Sequence, residues 1–294
     1  MFLKRVISGA VLAVFFVAIF IVGGYPMAVA ALGVSLLGYW ELAKALANPT
    51  PAPGAERTPL PQEKKFDYMD AIAFVGITLY YVAMAVFGDV VYQFVIVMLF
   101  VLAILFVYVF SFPKIPIDRI ANVAFSFIYC PVLLSFIYMT REAGDIGKYF
   151  VWMIAISSWG CDTCAYLVGI TFGKKKVFPL LSPKKSLQGC IGGIVGSGII
   201  GGVYGYIYLG RIAGFLENHH YIYLFTAAMC MIGAVMGMLG DLVASGIKRN
   251  KGFKDYSRLI PGHGGVMDRI DSAIATAPMI YVLTLMMIKG YFKL

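Results

Sequence analysis

The sequence predicts an all-α, polytopic integral membrane protein of about nine transmembrane helices, with a polar site facing the cytoplasm. Three observations predict it. Hydrophobic residues make up 61% of the 294 and charged residues only 13%, against about 25% charged in soluble domains. The apolar residues fall in continuous runs, each close to the roughly 20 residues a bilayer-crossing helix needs; barrel strands would alternate instead. The charge that remains is sorted into a few loops.

The elements follow in order. The first run, 4–22, stands behind MFLKR and has the outline of a secretory leader. Its length, and the apolar segment directly after it, predict a retained first helix. With the run at 26–46 it forms an N-terminal helix pair over 1–47. Residues 48–69 are a linker containing NPTPAPGAERTPLPQEKK. This composition predicts a flexible cytoplasmic connector. A transmembrane bundle over 70–294 follows, with spans at 70–87, 90–110, 119–139, 149–171, 189–209, 222–243 and 271–288. Several spans are short or carry polar residues, which predicts tilt or an interior position.

The seventh span, within GCIGGIVGSGIIGGVYG, contains a G-x-G-x-x-G match at Gly196, Gly198 and Gly201. No strand precedes it, so it is not a dinucleotide fingerprint. Such glycines let helix backbones approach closely, either within one chain or between two, which leaves a homodimer open. Cys161 and Cys164 form C-x-x-C, but no second pair exists, and His219 and His220 fall on the opposite side of this topology. Packing between helices is the better reading of these thiols.

Alternating the nine spans places 19 of the 24 Lys and Arg on the side of the N-terminus and five on the other. The positive-inside rule then puts the N-terminus and the basic loops in the cytoplasm, and the odd number of spans puts the C-terminus outside. The basic pI, about 9.2, suits an anionic bilayer surface and anionic substrates. Nucleic acid is not an expected partner, since no soluble basic domain exists to present the charge.

The polar residues that carry chemistry gather late in the chain. Asp162 lies inside the sixth span, where a charge is costly and faces either a wet cavity or a helix partner. Asp241 ends the eighth span, and Asp268 and Asp271 stand three apart at the start of the ninth. An i, i+3 pair shares one helix face. Two carboxylates there repel unless a cation separates them, and oxygen-only donors suit Mg²⁺, with a second cation also conceivable. The alternative pairs these acids with Arg249 and Arg269 as salt bridges. Two basic loops lie on the same predicted side. GKKKVFPLLSPKKS carries Lys184 and Lys185; KRNKGFKDYSR carries Lys248, Arg249 and Lys254. Cations beside acidic metal ligands are what phosphoryl and nucleotidyl chemistry needs. Gly262, Gly264 and Gly265 would let backbone N–H groups come close to a phosphate. Together these features predict a water-soluble phosphate compound meeting a lipid at the membrane surface.

The run SGIKRNKGFKDYSRLIPGHGGVMDRIDS, 245–272, resembles the signature of the phosphatidate cytidylyltransferase family, also called CDP-diacylglycerol synthases. Its matching positions are Ser245, Lys248, Arg249, Lys254, Asp255, Pro261, His263, Gly264, Gly265, Asp268, Arg269 and Asp271. Upstream, D-x-x-A-Y-x-x-G from Asp162 to Gly169, FGK at 172–174 and SPKKS-x-x-G at 182–189 are also similar to that family. The motifs cover about the last 130 residues; Ser186 and Gln188 depart from the Thr and Glu of many members. The resemblance implies an enzyme that transfers the cytidylyl group of CTP to phosphatidic acid, giving CDP-diacylglycerol and pyrophosphate, in the plasma (inner) membrane of a bacterium. It implies catalytic roles for Asp241, Asp268, Asp271, Lys248 and Arg249, the three acids holding Mg²⁺. It implies substrate binding by Lys184, Lys185, Lys254, His263, Gly264, Gly265, Arg269, Ser245 and Asp162. Two other readings stand beside it: a CTP-dependent lipid kinase acting on polyprenol or dolichol, and an ion-coupled transporter using Asp162 and Asp241.

Overall fold

A computed structural model describes residues 2–51, 57–212 and 221–291. His219 and His220, Lys293, and linker residues 52–56 lie outside the described residues. Eight helices are long and apolar enough to cross a membrane, and a further apolar helix covers Val6–Val22. The nine expected spans therefore all coincide with helical segments, and the protein is an all-α polytopic membrane protein. The chain divides into two compact units, Met1–Ser135 with Ile247–Arg269, and Phe136–Gly246 with Ile270–Leu294.

The first unit holds α1 (Phe2–Val22), α2 (Gly24–Ala47), α3 (Tyr68–Phe87), α4 (Val90–Ser111) and α5 (Ile117–Phe127). Local chemistry sets several ends. Asp67 and Asp70 form a reciprocal capping box at the start of α3, and Gly88, at φ +67°, closes it. Asp89 caps α4 by accepting the N–H of Val91. Such caps satisfy donors that a helix start leaves orphaned. After α5 the helix widens into a π turn at Ile128–Val132, which contains Pro131; proline removes one donor from the helical ladder. Phe100 stacks on Phe127 with ring centroids 3.8 Å apart. Gly76 makes room for them, since a Cβ there would stand 3.0 Å from the Phe100 ring.

Charge is also buried in this unit. Arg119 donates to Asp67 at 2.9 Å and to Asp70 at 2.7 Å, and Lys64 pairs with Asp70 as well. Burial alone would raise the Asp67 pKa, but the hydrogen bonds from Arg119 and from the Asp70 N–H, together with the charges of Arg119 and Lys64, outweigh it and hold the carboxyl below its ordinary range.

The second unit holds most of α6 (Leu133–Arg141), then α7 (Gly147–Ala155), a π turn at Ile156–Gly160 and α8 (Cys161–Phe172). It continues through α9 (Leu187–Tyr204), α10 (Ile222–Asn250) as far as Gly246, and α11 (Met267–Ile288) from Ile270. Glycines set its helix contacts, as expected. A Cβ at Gly196 would stand 2.7 Å from Cys164, one at Gly198 2.6 Å from Met231, and one at Gly201 2.4 Å from Cys230. The glycine face of α9 thus meets α8 and α10 of the same chain. All five cysteines are free thiols.

The loop after α8 is not irregular throughout. Lys176, Lys184 and Lys185 lie in a short antiparallel hairpin of β1 (Lys176–Phe178) and β2 (Ser182–Ser186). Ser186 then caps α9 by accepting the Gly189 N–H.

Candidate active site

In the second unit a pocket of about 580 Å³ is lined by Asp162, Ala165, Tyr166, Gly169, Lys184 and Lys185, among others. The first four are the fixed positions of the D-x-x-A-Y-x-x-G motif. Spacings of three, four and seven bring residues to one helical face, so a single stripe of α8 supplies this wall. Strand β2 supplies the lysines. Gly169 on α8 and Gly189 at the start of α9 let those two helices close up, since a Cβ at Gly189 would stand 2.8 Å from the Ala165 carbonyl oxygen. The Ser186 and Gln188 departures keep a local purpose here. The Ser186 hydroxyl is the α9 cap, and Gln188 Oε1 accepts the N–H groups of Lys174 and Lys175 at 3.1 and 3.3 Å.

Lys185 Nζ lies 2.5 Å from Asp241 Oδ2. This contact is an ion pair, and one carboxylate oxygen cannot engage all three N–H donors of the ammonium. The remaining N–H bonds are available to an anion. Burial would lower the Lys185 pKa, yet attraction to Asp241, with a smaller contribution from Asp162, more than offsets this and holds it above the ordinary lysine range. The group is a fixed cation at neutral pH.

The signature loop belongs to the first unit, and Asp268 organises it. Asp268 Oδ1 accepts from Lys248 Nζ at 2.7 Å, and its Oδ2 accepts the N–H of Tyr256 at 3.0 Å and of Gly265 at 3.1 Å. Gly262 and Gly264 take φ of +79° and +83°, a region L side chains avoid; a Cβ at Gly264 would also stand 3.0 Å from Asp268 Oδ2. His263 Nδ1 is 2.8 Å from the Ser8 hydroxyl, which also donates to the Pro261 carbonyl at 2.9 Å.

Asp268 and Asp241 are indeed salt-bridged, but to Lys248 and Lys185 rather than to the arginines weighed from sequence. Asp271 Oδ1 accepts the Ser272 N–H. Lys254 and Arg269 are exposed, and Ser245 and Arg249 are half-buried on α10. Among the described residues no three His, Cys, Asp or Glu side chains gather where they could hold a metal ion. The donor chemistry still suits Mg²⁺, which takes one or two carboxylates plus phosphate oxygens more readily than an all-protein cage.

Two contributors were not anticipated from the sequence. Glu41, on α2 and 5% exposed, accepts the N–H groups of Val266 at 3.0 Å and Met267 at 2.8 Å and the hydroxyl of Ser257. It caps the start of α11 from a distant part of the chain. A lone acid inside an apolar span was the available signal. Ser8, on α1, had no signal of its own.

A profile of the cytidylyltransferase family matches residues 3–287. The chain is 26% identical to a phosphatidate cytidylyltransferase of Bacillus subtilis over 95% of this chain and 96% of that protein. It is 33% identical to one of Staphylococcus haemolyticus over 55% of this chain and 58% of that protein. A Staphylococcus epidermidis relative is 35% identical over 54% and 56%. Against the two staphylococcal proteins the match spans little more than half their length.

Proposed function

The chain belongs to the cytidylyltransferase family, and on that premise we propose that it transfers the cytidylyl group of CTP to phosphatidic acid. A phosphatidate oxygen forms a bond to the α-phosphorus of CTP. The bond from that phosphorus to the β-phosphate oxygen breaks, and pyrophosphate leaves with the electron pair. CDP-diacylglycerol remains in the bilayer.

The observation that carries this reading is the pocket that joins the D-x-x-A-Y-x-x-G wall to Lys184 and Lys185. Both reactants are anions, so their mutual repulsion is the first barrier. Preorganised cations lower it without reorganising during the reaction. Lys185, held by Asp241 and with N–H donors beyond that one contact, takes a phosphate oxygen. Lys184 is beside it on β2. In the signature loop Lys248, Arg249 and Lys254 are assigned to triphosphate or pyrophosphate, with Asp268 orienting Lys248 through their 2.7 Å contact. His263 braces the glycine turn through Ser8; a general base is unnecessary, because the phosphate nucleophile is already ionised near neutral pH. Mg²⁺, arriving with the CTP phosphates and meeting Asp241, Asp268 or Asp271, would supply further charge neutralisation.

The protein is an integral membrane protein. We place its N-terminus and basic loops on the cytoplasmic side of a bacterial plasma membrane, on the strength of the 19-to-5 division of Lys and Arg. A homodimer is read out by crosslinking in the same membranes.

The test uses purified protein in mixed micelles with CTP, phosphatidic acid and Mg²⁺. Pyrophosphate release is followed together with labelled CMP entering lipid. Equal appearance of both is the expected result. CDP release with phosphate entering lipid would move the protein to the lipid kinases, and absence of either would refute the assignment.

A further inference from the structure

We propose that the linker between α2 and α3 is a positioning strap that seats the signature loop for turnover. This rests on the transferase reading above. The linker's composition predicts a free connector, but Asn48, Thr58 and Pro59 within it are bonded to the loop. The Thr58 N–H donates to the Gly252 carbonyl at 2.9 Å, and the Asp255 N–H donates to the Pro59 carbonyl at 3.2 Å. Thr58 and Phe253 form a parallel bridge. Lys251 Nζ donates to the Asn48 carbonyl at 2.8 Å, and Asn48 Oδ1 accepts the Gln62 N–H at 2.8 Å, so the linker is tied near both its ends.

Gly252 makes the approach possible. It sits at φ +72°, and a Cβ there would stand 2.7 Å from Pro51 Cγ. The loop is therefore held from two directions. Asp268 takes the N–H groups of Tyr256 and Gly265, and the strap takes the carbonyl of Gly252 and the N–H of Asp255. The strap bonds bracket Lys254, an exposed cation assigned to the substrate phosphates. Without them the backbone that aims Lys254 is fixed on one side only. Misplacing a catalytic group by about 1 Å can lower a rate by about 10²-fold.

Thr58 precedes a proline and so favours extended backbone. Thr58→Pro deletes the N–H; Thr58→Ala keeps the N–H and removes only the hydroxyl, which donates to the Leu60 carbonyl at 2.8 Å, so it separates the backbone bond from the side chain. The strap predicts that Thr58→Pro lowers kcat by about tenfold or more, with KM for phosphatidic acid and melting temperature little changed. Thr58→Ala restores turnover to within about twofold. Wild-type kcat in Thr58→Pro would overturn the proposal. Amide hydrogen exchange on the unmodified protein in detergent gives a second reading that needs no variant. Slow exchange at Thr58 and Asp255 is expected, and exchange as fast as in a free peptide would equally overturn it. If the unmodified protein transfers no cytidylyl group, the transferase reading falls, while the exchange data still decide whether the strap exists.

Discussion

Lys248 and Asp268 meet at 2.7 Å in the signature loop, with the Asp268 side chain only 5% exposed. The carboxylate that sequence reasoning assigns to metal is thus also the hub of the loop: one oxygen takes the lysine and the other takes two backbone N–H groups. Losing either partner leaves the other buried without its counter-charge. Lys248→Met should therefore lower stability on the order of 3 kcal/mol, and Asp268→Asn should lower turnover at least 10²-fold. Thermal unfolding and cytidylyl transfer, measured on both variants, check this. Wild-type turnover in Asp268→Asn would remove that residue from the site.

Lys185 and Asp241 give a pH prediction. A lysine whose folded pKa lies above its unfolded value contributes stability fully present below the unfolded value. That contribution is lost only as pH rises through the folded value. Lys185 is raised in this way, so it produces no fall in kcat/KM between pH 7 and about 10. Lys185→Met should reduce kcat/KM across that whole range, and Lys185→Arg should recover part of it by keeping the charge. A loss confined to one end of the pH profile would contradict the assignment.

Metal dependence has a distinct signature. No three candidate ligands gather among the described residues, so Mg²⁺ should bind weakly alone and more tightly with CTP. Paramagnetic Mn²⁺ in place of Mg²⁺ reports this directly: little bound signal with protein alone, and a bound signal when CTP is added. Chelator should abolish turnover, and added Mg²⁺ should restore it. Tight Mn²⁺ binding without nucleotide would show that a protein cage exists after all.

Glu41 should matter for both folding and rate. Glu41→Ala leaves the N–H groups of Val266 and Met267 without an acceptor, and an unsatisfied buried donor costs roughly 1–3 kcal/mol. We expect a lower melting temperature and reduced turnover. Glu41→Asp, one methylene shorter, should fall between wild type and Glu41→Ala in both measurements. Unchanged melting in Glu41→Ala would mean that water caps α11 equally well.

The spans were legible because each depends on its own residues. Apolar runs and the spacing of Gly196, Gly198 and Gly201 are local signals, and every span found its helix. The Asp162 stripe was legible for the same reason, since its residues share a helix face with the pocket. Partners far apart in the chain were not. Nothing local in the sequence pairs Asp241 with Lys185 rather than an arginine, or joins Thr58 to Gly252. The Pro-rich linker was read from composition, which reports how freely a chain moves when unbound but not what its backbone bonds to.

The Glu41–Met267 bond joins residues 226 positions apart. A ribosome adding about 5–20 residues per second takes roughly 10–50 s to cover that distance. For that interval the α2 carboxylate exists without the amides that will hold it. The N-terminal helices are made first, yet the signature loop they support can close only after α11 begins. Substitutions at Glu41 will therefore be felt as slow or incomplete maturation of newly made protein, before they are felt as weakness in the finished one.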